Sequence, residues 1–205
     1  ILDGNSLTIE DVFKSSVAAS RLTFSSQAIK RMKRSRALVE QWVENGEIVY
    51  GVTTGFGEFS NVCIDRDHLE QLQENLIMSH SAGIGDPLPP EIVRGMIILR
   101  LNALAKGFSG IRIETVEFLK RVFNAGIVPV IPSKGSVGSS GDLAPLAHLV
   151  LTLLGKGSVT YKGKTMSAGK ALRILGMPRL KLAAKEGLAL VNGTQMMTAF
   201  GVLCV

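Results

Sequence analysis

The stretch "KGSVGSSGDLAPLAH", residues 134–148, contains residue types that can react with one another through the main chain. In Ser139-Ser140-Gly141, the amide nitrogen of Gly141 could attack the carbonyl carbon of Ser139, which closes a five-membered ring and releases one water. Glycine suits this step because it has no side chain to block its nitrogen and it reaches unusual dihedral angles. Loss of the Ser140 hydroxyl as a second water would leave an exocyclic methylidene group. The product is an electrophile, which no ordinary side chain supplies.

Other interpretations of this run need residues that it lacks, or explain it more simply. A Walker loop ends in Gly-Lys-Ser/Thr, and a dinucleotide fingerprint reads G-x-G-x-x-G, whereas these glycines stand three residues apart. A nucleophile elbow, G-x-S-x-G, would need glycine where Asp142 stands. A plain turn with Asp142 as the N-cap of the next helix is the simplest interpretation from the residues alone. The plain turn and the self-reacting tripeptide therefore both stay open.

The sequence around the run is predominantly helical by its hydrophobic spacing. Helices are predicted over residues 8–20, 25–45, 66–81, 91–106, 111–125, 142–154, 167–175 and 185–205. Extended segments are predicted at 47–50 and 127–132, and a hairpin around Lys162-Gly163 within 156–167. The last helix is apolar around its circumference, which indicates burial inside a larger helical bundle.

The composition is that of a globular chain and argues against several kinds of site. The 205 residues are 46% hydrophobic and 20% charged, with a net charge of +6. The basic run at 30–36 fits the solvated face of an amphipathic helix and has no interleaved aromatic residues, so no nucleic-acid partner is expected. Two cysteines and three histidines argue against a disulfide framework and against a metal site.

The sequence also carries indications of the cellular compartment and of whether the chain is part of a longer protein. A reducing cytoplasm is the expected compartment because cysteine is rare. The apolar stretches are predicted to be too short for a membrane span, so no membrane partner is expected, and no signal peptide is visible. The chain starts at Ile1 and stops at Val205 within an apolar run, which predicts that it is part of a longer protein.

With its flanking residues, the run resembles the signature of the aromatic amino-acid ammonia-lyases. That family forms a methylidene-imidazolone (MIO) electrophile from an Ala-Ser-Gly tripeptide. Four further blocks agree in order and spacing: "YGVTTGFG" (50–57), "NLIMSHSAGIG" (75–85), "RLNALAKGFSGIR" (100–112) and "LAAKEGLALVNGTQ" (182–195). The resemblance covers nearly the whole chain, and within the family it is closest to the histidine ammonia-lyases. One departure is Ser139, where the family usually has alanine; the ring uses only the main-chain carbonyl of that residue.

The resemblance implies a fold, a cofactor and a reaction. The fold would be mainly α, a helical-bundle lyase fold of the fumarase/aspartase type, with small β and loop elements around the active site. Residues 1–205 would be its N-terminal portion, with the MIO-bearing region at 134–148 and the start of the central bundle at about 185–205. The cofactor would be MIO from Ser139-Ser140-Gly141, without metal or external cofactor. The reaction would convert L-histidine to trans-urocanate and ammonia in a homotetramer.

The resemblance also implies roles for five further residues. Tyr50 matches the family's base for the β-proton. Without the resemblance, the residue and its place after the predicted strand suggest a tyrosine half-buried by its ring at a strand end. The resemblance places His80 in the substrate pocket, where it would favour a substrate with a polar ring. The residue alone suggests a histidine that caps the carbonyl end of a helix. Asn192 matches a residue that hydrogen-bonds the cofactor or the substrate, and Gln195 follows the histidine-lyase form of its block. Asp142 would orient the tripeptide for cyclisation.

Two alternatives stay open at this point. Within the family, the chain could act as a tyrosine ammonia-lyase or as an aromatic aminomutase. In another class, it could be an inactive structural or oligomer-forming fragment, since family active sites combine several subunits and the family chain is more than twice as long. On this view residues 1–205 alone would have no activity.

Overall fold

The computed structural model describes residues 1–55, 68–139 and 142–205. Within these ranges the chain is about 53% helical, which confirms the predicted fold class. The helices are α1 (Ile9–Val17), α2 (Ser26–Glu44), α3 (Leu69–His80), α4 (Pro90–Ala105), α5 (Ile113–Asn124), α6 (Ala144–Leu153), α7 (Ala168–Ile174), α8 (Glu186–Val191) and α9 (Gln195–Cys204). The strands are β1 (Ile84–Pro87), β2 (Val128–Pro129), β3 (Pro132–Lys134), β4 (Ser158–Tyr161) and β5 (Lys164–Ser167).

Local sequence signals set most helix ends. Thr8 caps α1 in a capping box with Asp11, and the Ser25 side chain accepts a hydrogen bond from Ala28 N at the start of α2. Helices α2 and α5 end before Gly46 and Gly126, whose φ angles of 66° and 73° are easily reached only by glycine. The positions of α1, α2 and α5 confirm the helices that were predicted from hydrophobic spacing.

Helix α4 lies at the centre of the fold. It packs against α1, α2, α5 and α9, and most of its side chains are buried on every face. At Gly95 a Cβ atom would lie 3.1 Å from Cβ of Ala199, so the glycine allows α4 and α9 to approach closely. A helix that is apolar all round is stable in water only when neighbours cover it, and this arrangement provides them.

Two small antiparallel sheets connect the helices. Strands β1 and β3 form one, and β2, β4 and β5 form the other in the order β2-β4-β5. The hairpin β4–β5 turns at Lys162 and Gly163, with φ angles of 49° and 73°, as its sequence predicted.

The strand predicted at 47–50 does not form. Val49 N donates to Thr53 Oγ1 (2.9 Å), and the same hydroxyl donates to Glu47 O (2.5 Å). A threonine side chain therefore satisfies main-chain groups that a strand partner would otherwise bind, and the chain turns over residues 50–53. The apolar residues Ile48 and Val49 suggested a strand because this local competition is not visible in the hydrophobic pattern.

The helix predicted over 185–205 is divided into α8 and α9 by a break at residues 192–194. The segment Glu186–Cys204 is nevertheless long and apolar enough by composition to cross a membrane, with a mean hydropathy of 1.3 and 33% of it buried. The expectation that every apolar stretch is too short was therefore wrong for this segment. Length and composition are weak evidence for a span, because the core helix of a bundle meets the same criterion.

Candidate active site

The residues on either side of the tripeptide form a loop held by Asp142. The Asp142 carboxylate accepts hydrogen bonds from Ser136 Oγ and from Val137 N (3.1 Å), and Asp142 N donates to Ser139 O (3.3 Å). Ser140 and Gly141 themselves lie outside the described residues. The main-chain bond therefore links Ser139 and Asp142, the described residues on either side of Ser140 and Gly141.

The predicted role of Asp142 as an N-cap is wrong. Leu143 holds the N-cap position of α6, with no side-chain hydrogen bond to the helix. The Asp142 carboxylate instead reaches back to the residues that precede the tripeptide, because Ser136 and Val137 offer donors there. This arrangement ties the two flanks of the tripeptide together, which is closer to the orienting role than to a capping role.

The segment that follows His80 is fastened to the same loop. Gly83 N donates to Nε2 of His148 (2.9 Å), a residue of α6, and burial lowers the pKa of His148. Gly135, with a φ of 140°, approaches Gly83 so closely that a Cβ atom there would lie 2.9 Å from Gly83 Cα. The sequence alone does not indicate this role of His148, because only the fold brings the end of α3 to this point.

His80 is the last residue of α3 and is half-buried. Its Nδ1 lies 2.9 Å from Leu76 O and 3.1 Å from Ser79 Oγ. A carbonyl oxygen only accepts, so Nδ1 carries the proton and Nε2 is an acceptor in the neutral ring. The capping role and the pocket role are therefore compatible: the cap fixes the tautomer, and the other nitrogen can accept a hydrogen bond from a ligand.

Tyr50 lies on the turn after α2, and its side chain is 61% exposed. The backbone beside it is anchored, since Gly51 N donates to Thr54 Oγ1 (3.2 Å) and residues 51–55 are buried. The structure thus does not give the half-buried strand-end tyrosine that the residue alone suggested. It presents an exposed phenol on a buried turn, and the rest of its sequence block, 56–57, lies outside the described residues.

The break between α8 and α9 lies against the tripeptide loop. Asn192 ends α8 with an exposed side chain, and Gln195 begins α9. A narrow cleft of about 10 Å³, with room for no more than one water molecule, separates the break from the loop. The cleft is lined on one side by Ser136, Gly138, Ser139, Asp142, Pro145 and Leu146, and on the other by Gly193, Thr194, Met196 and Met197.

Arg100, which was not among the predicted site residues, forms hydrogen bonds with the residues around this break. Arg100 of α4 is 6% exposed and donates from Nη1 to Asn192 O (2.9 Å) and to Gln195 Oε1 (3.3 Å). Its Nη2 also donates to Ala189 O. An arginine within a run of apolar residues is the sequence signal that could have identified it, because a buried cation needs acceptors supplied by another element.

The structure therefore joins three of the predicted segments. The tripeptide flanks face Gly193 and Thr194 of the break across the cleft, and Gly83, in the segment after His80, is hydrogen-bonded to His148 beside the same flanks. Hydroxyl and carboxylate groups of the loop and the hydroxyl of Thr194 line the cleft, and all of them can form hydrogen bonds. The predicted site residues Tyr50, His80, Asn192 and Gln195 are not among the residues that line it.

Comparisons with known proteins agree with this architecture. The family model of the aromatic amino acid lyases matches residues 7–205. The histidine ammonia-lyase of Caldanaerobacter subterraneus subsp. tengcongensis is 54% identical over 205 residues, which are 100% of this chain and 40% of that protein.

Solved structures give the same result. The crystal structure of histidine ammonia-lyase from Trypanosoma cruzi has a TM-score of 0.91 at 45% identity and covers 98% of this chain and 39% of that one. The Pantoea agglomerans phenylalanine aminomutase has a TM-score of 0.93 at 35% identity, with 100% and 39% covered. The chain thus spans about 40% of the length of the relatives it matches, and over that length it belongs to the aromatic amino acid lyase family.

Proposed function

We propose that the protein of full family length containing this chain is an ammonia-lyase that converts L-histidine to trans-urocanate and ammonia. The observation that carries the proposal is the close approach of Gly193 and Thr194, in the break after α8, to the loop around Ser139. Similarity to histidine ammonia-lyases at about half of all positions supports the choice of substrate. Because the chain spans about 40% of those proteins, the activity is proposed for the longer protein.

The described flanks fit the formation of MIO from residues 139–141. The bond from Asp142 N to Ser139 O holds together the described residues on either side of Ser140 and Gly141, and ring closure requires the two ends of this segment to stay close. The Asp142 carboxylate holds this segment against Ser136 and Val137 on the other flank. When present, MIO supplies an electrophile that eases loss of the amine from an amino acid.

The side chains of this chain have distinct proposed tasks. Tyr50 removes the β-proton of the substrate, and its exposed position on an anchored turn lets the phenol reach a bound ligand. Asn192 hydrogen-bonds the substrate or the tripeptide carbonyl through its exposed amide. Asp142 orients the tripeptide backbone for ring closure through the contacts described above.

His80 and Gln195 are the proposed determinants of the substrate. With Nδ1 bound to Leu76 O, the Nε2 of His80 accepts a hydrogen bond, so it favours a substrate ring that carries an N–H or O–H group. Imidazole and phenol both meet this condition, whereas a phenyl ring does not. Gln195 directs the choice to histidine, because it follows the histidine-lyase form of its sequence block.

Mass spectrometry and a product assay together test the proposal. The peptide with residues 139–141 from the full-length protein is expected to be lighter by two waters than its sequence, and Ser140→Ala should prevent the second loss. The wild-type protein should form urocanate from histidine faster than coumarate from tyrosine. A peptide that keeps both waters would exclude MIO in this protein, and coumarate as the main product would overturn the choice of substrate.

An aromatic aminomutase is a second candidate, because the fold is as similar to the phenylalanine aminomutase (TM-score 0.93) as to the histidine ammonia-lyase (TM-score 0.91). Such an enzyme would return the amine to the β-carbon after its elimination. Chiral chromatography of the products would distinguish the two, since only a mutase forms a β-amino acid. We further propose a cytoplasmic homotetramer, for which size-exclusion chromatography with light scattering is the test, and we expect residues 1–205 alone to be inactive.

A further inference from the structure

Arg100 is a buried cation that the proposed chemistry does not use. Its side chain is 6% exposed, and desolvation lowers its pKa to about 10. Among the described residues no carboxylate forms an ion pair with it, and its Nε has no hydrogen-bond partner. A buried charge is costly without compensating contacts, so the contacts that Arg100 does make must be important for its retention.

The acceptors that the described residues offer to Arg100 lie in α8, at the break after it and at the start of α9. Two of them, Ala189 O and Asn192 O, lie at the carboxyl end of α8, where unpaired carbonyl oxygens carry partial negative charge. The third is Oε1 of Gln195, the first residue of α9. One guanidinium group of α4 therefore fixes the end of one helix and the beginning of the next.

The break between α8 and α9 borders the cleft through Gly193, Thr194 and Met196, and the contacts of Arg100 determine how the residues beside them are oriented. A guanidinium group only donates, so the carboxamide oxygen of Gln195 must face it and the NH₂ group must point away. At Asn192 the backbone oxygen is taken by Arg100, while the side-chain amide is exposed. At Gly193 a Cβ atom would lie 2.6 Å from Arg100 Nη1 and would also collide with Gln195 Oε1, so an alanine there would displace the ends of these two side chains.

We infer that Arg100 is a positioning residue that turns Gln195 into a hydrogen-bond donor toward an acceptor atom of the substrate. The inference rests on the proposed function for the identity of that substrate, but the placement of Gln195 rests on the contacts alone. Arg100 acts through Gln195 and touches no reacting atom. A lysine could not replace it fully, because a single ammonium group does not span the three acceptors in the geometry of a planar fork.

A double-mutant cycle in the protein of full family length tests the coupling. Arg100→Met and Gln195→Ala are each expected to lower kcat/KM for histidine about tenfold or more, and the double variant should be no slower than the slower single variant. Arg100→Lys should recover part of the loss. Losses that multiply in the double variant would overturn the inference, because they would mean that Arg100 acts independently of Gln195.

Arg94→Met is the matched control. Arg94 lies on the same helix, burial also lowers its pKa, and it donates to Ser15 O, Ser16 O and Ala18 O at the end of α1. This variant should lower Tm as Arg100→Met does, yet leave kcat/KM within about twofold of wild type. An equal loss of kcat/KM in both variants would indicate a general structural role and would overturn the inference.

Hydrogen exchange separates this inference from the proposed function. In Arg100→Met the amides of Asn192 and Thr198, which donate to Leu188 O and Thr194 O, should exchange about tenfold faster than in wild type, while Arg94→Met should leave them unchanged. If Arg100→Met does not fold, Gly193→Ala gives the same test with the arginine intact. Absence of urocanate in the wild type would refute the proposed function only, whereas unchanged exchange would refute the positioning role.

Discussion

Replacement of Glu186 by glutamine should destabilise the protein markedly. Glu186 is the first residue of α8 and is fully buried. Its Oε1 accepts from Arg112 N (3.0 Å) and Thr115 Oγ1 (2.7 Å), and its Oε2 accepts from Arg112 Nη2 (2.6 Å) and Ala183 N (2.8 Å). The carboxylate therefore joins α5, α8 and the segment before α8 through four donors.

The magnitude follows from the number of donors that lose an acceptor. In Glu186→Gln one carboxylate oxygen becomes an NH₂ group. At the position of Oε2 this group would face Arg112 Nη2 and Ala183 N, and it cannot accept a hydrogen bond from either. A buried donor without an acceptor costs about 1–3 kcal/mol, and a carboxylate removed from a buried ion pair about 3–5 kcal/mol. Because the Arg112 side chain is 31% exposed and regains water, we expect the free energy of unfolding to fall by about 3 kcal/mol.

Equilibrium unfolding in urea, followed by circular dichroism, measures this loss. Glu74→Gln is the control: Glu74 pairs with Lys156, the two side chains are 39% and 40% exposed, and the change should cost less than about 0.5 kcal/mol. If Glu186→Gln lies within about 1 kcal/mol of wild type with an unchanged m-value, the carboxylate is not the shared acceptor that its geometry indicates.

Three further predictions concern the site. Ser139→Ala should leave the fraction of tripeptide that loses two waters unchanged by mass spectrometry, because ring closure uses the main-chain carbonyl; a change in either direction would show that the hydroxyl takes part. Burial lowers the pKa of His148, so the contribution of its neutral ring to stability is present above its ordinary pKa of 6.5 and is lost as the pH falls below 6.5 through the lowered value. Tm should therefore fall with pH in this range, and His148→Gln should make that fall smaller. An unchanged dependence of Tm on pH would mean that other groups cause it. His80→Leu should lower the ratio of kcat/KM for histidine to that for phenylalanine by about tenfold or more, measured by product formation, and an unchanged ratio would remove His80 from substrate selection.

The sequence predicted the helices well because their signals are local. Capping residues such as Thr8 and Ser25, and the glycines that follow α2 and α5, act within a single turn of the chain. The hairpin β4–β5 was equally accessible, since Lys162-Gly163 defines its turn without help from distant residues. Family membership was also confirmed, because five ordered sequence blocks carry far more information than one tripeptide.

The errors share a different physical origin. Asp142 was assigned to the helix after it, but Ser136 and Val137 on the other side provide its donors. Ile48 and Val49 suggested a strand, but the Thr53 side chain satisfies the backbone there. In both cases a side chain could bond in more than one direction, and hydrophobic spacing does not decide between the directions. The importance of His148 also depends on a contact between residues distant in sequence.

The break between α8 and α9 shows how two unfavourable features of a sequence can compensate each other. An arginine in the apolar helix α4 is costly by itself, and so is an interruption that exposes carbonyl oxygens within the apolar stretch 186–204. Placed together, the arginine supplies the donors that the interrupted helix lacks. Each feature is therefore a reason to search for the other. Because α4 forms the centre of the fold, its packing against α9 also determines the geometry of the residues that face the tripeptide loop.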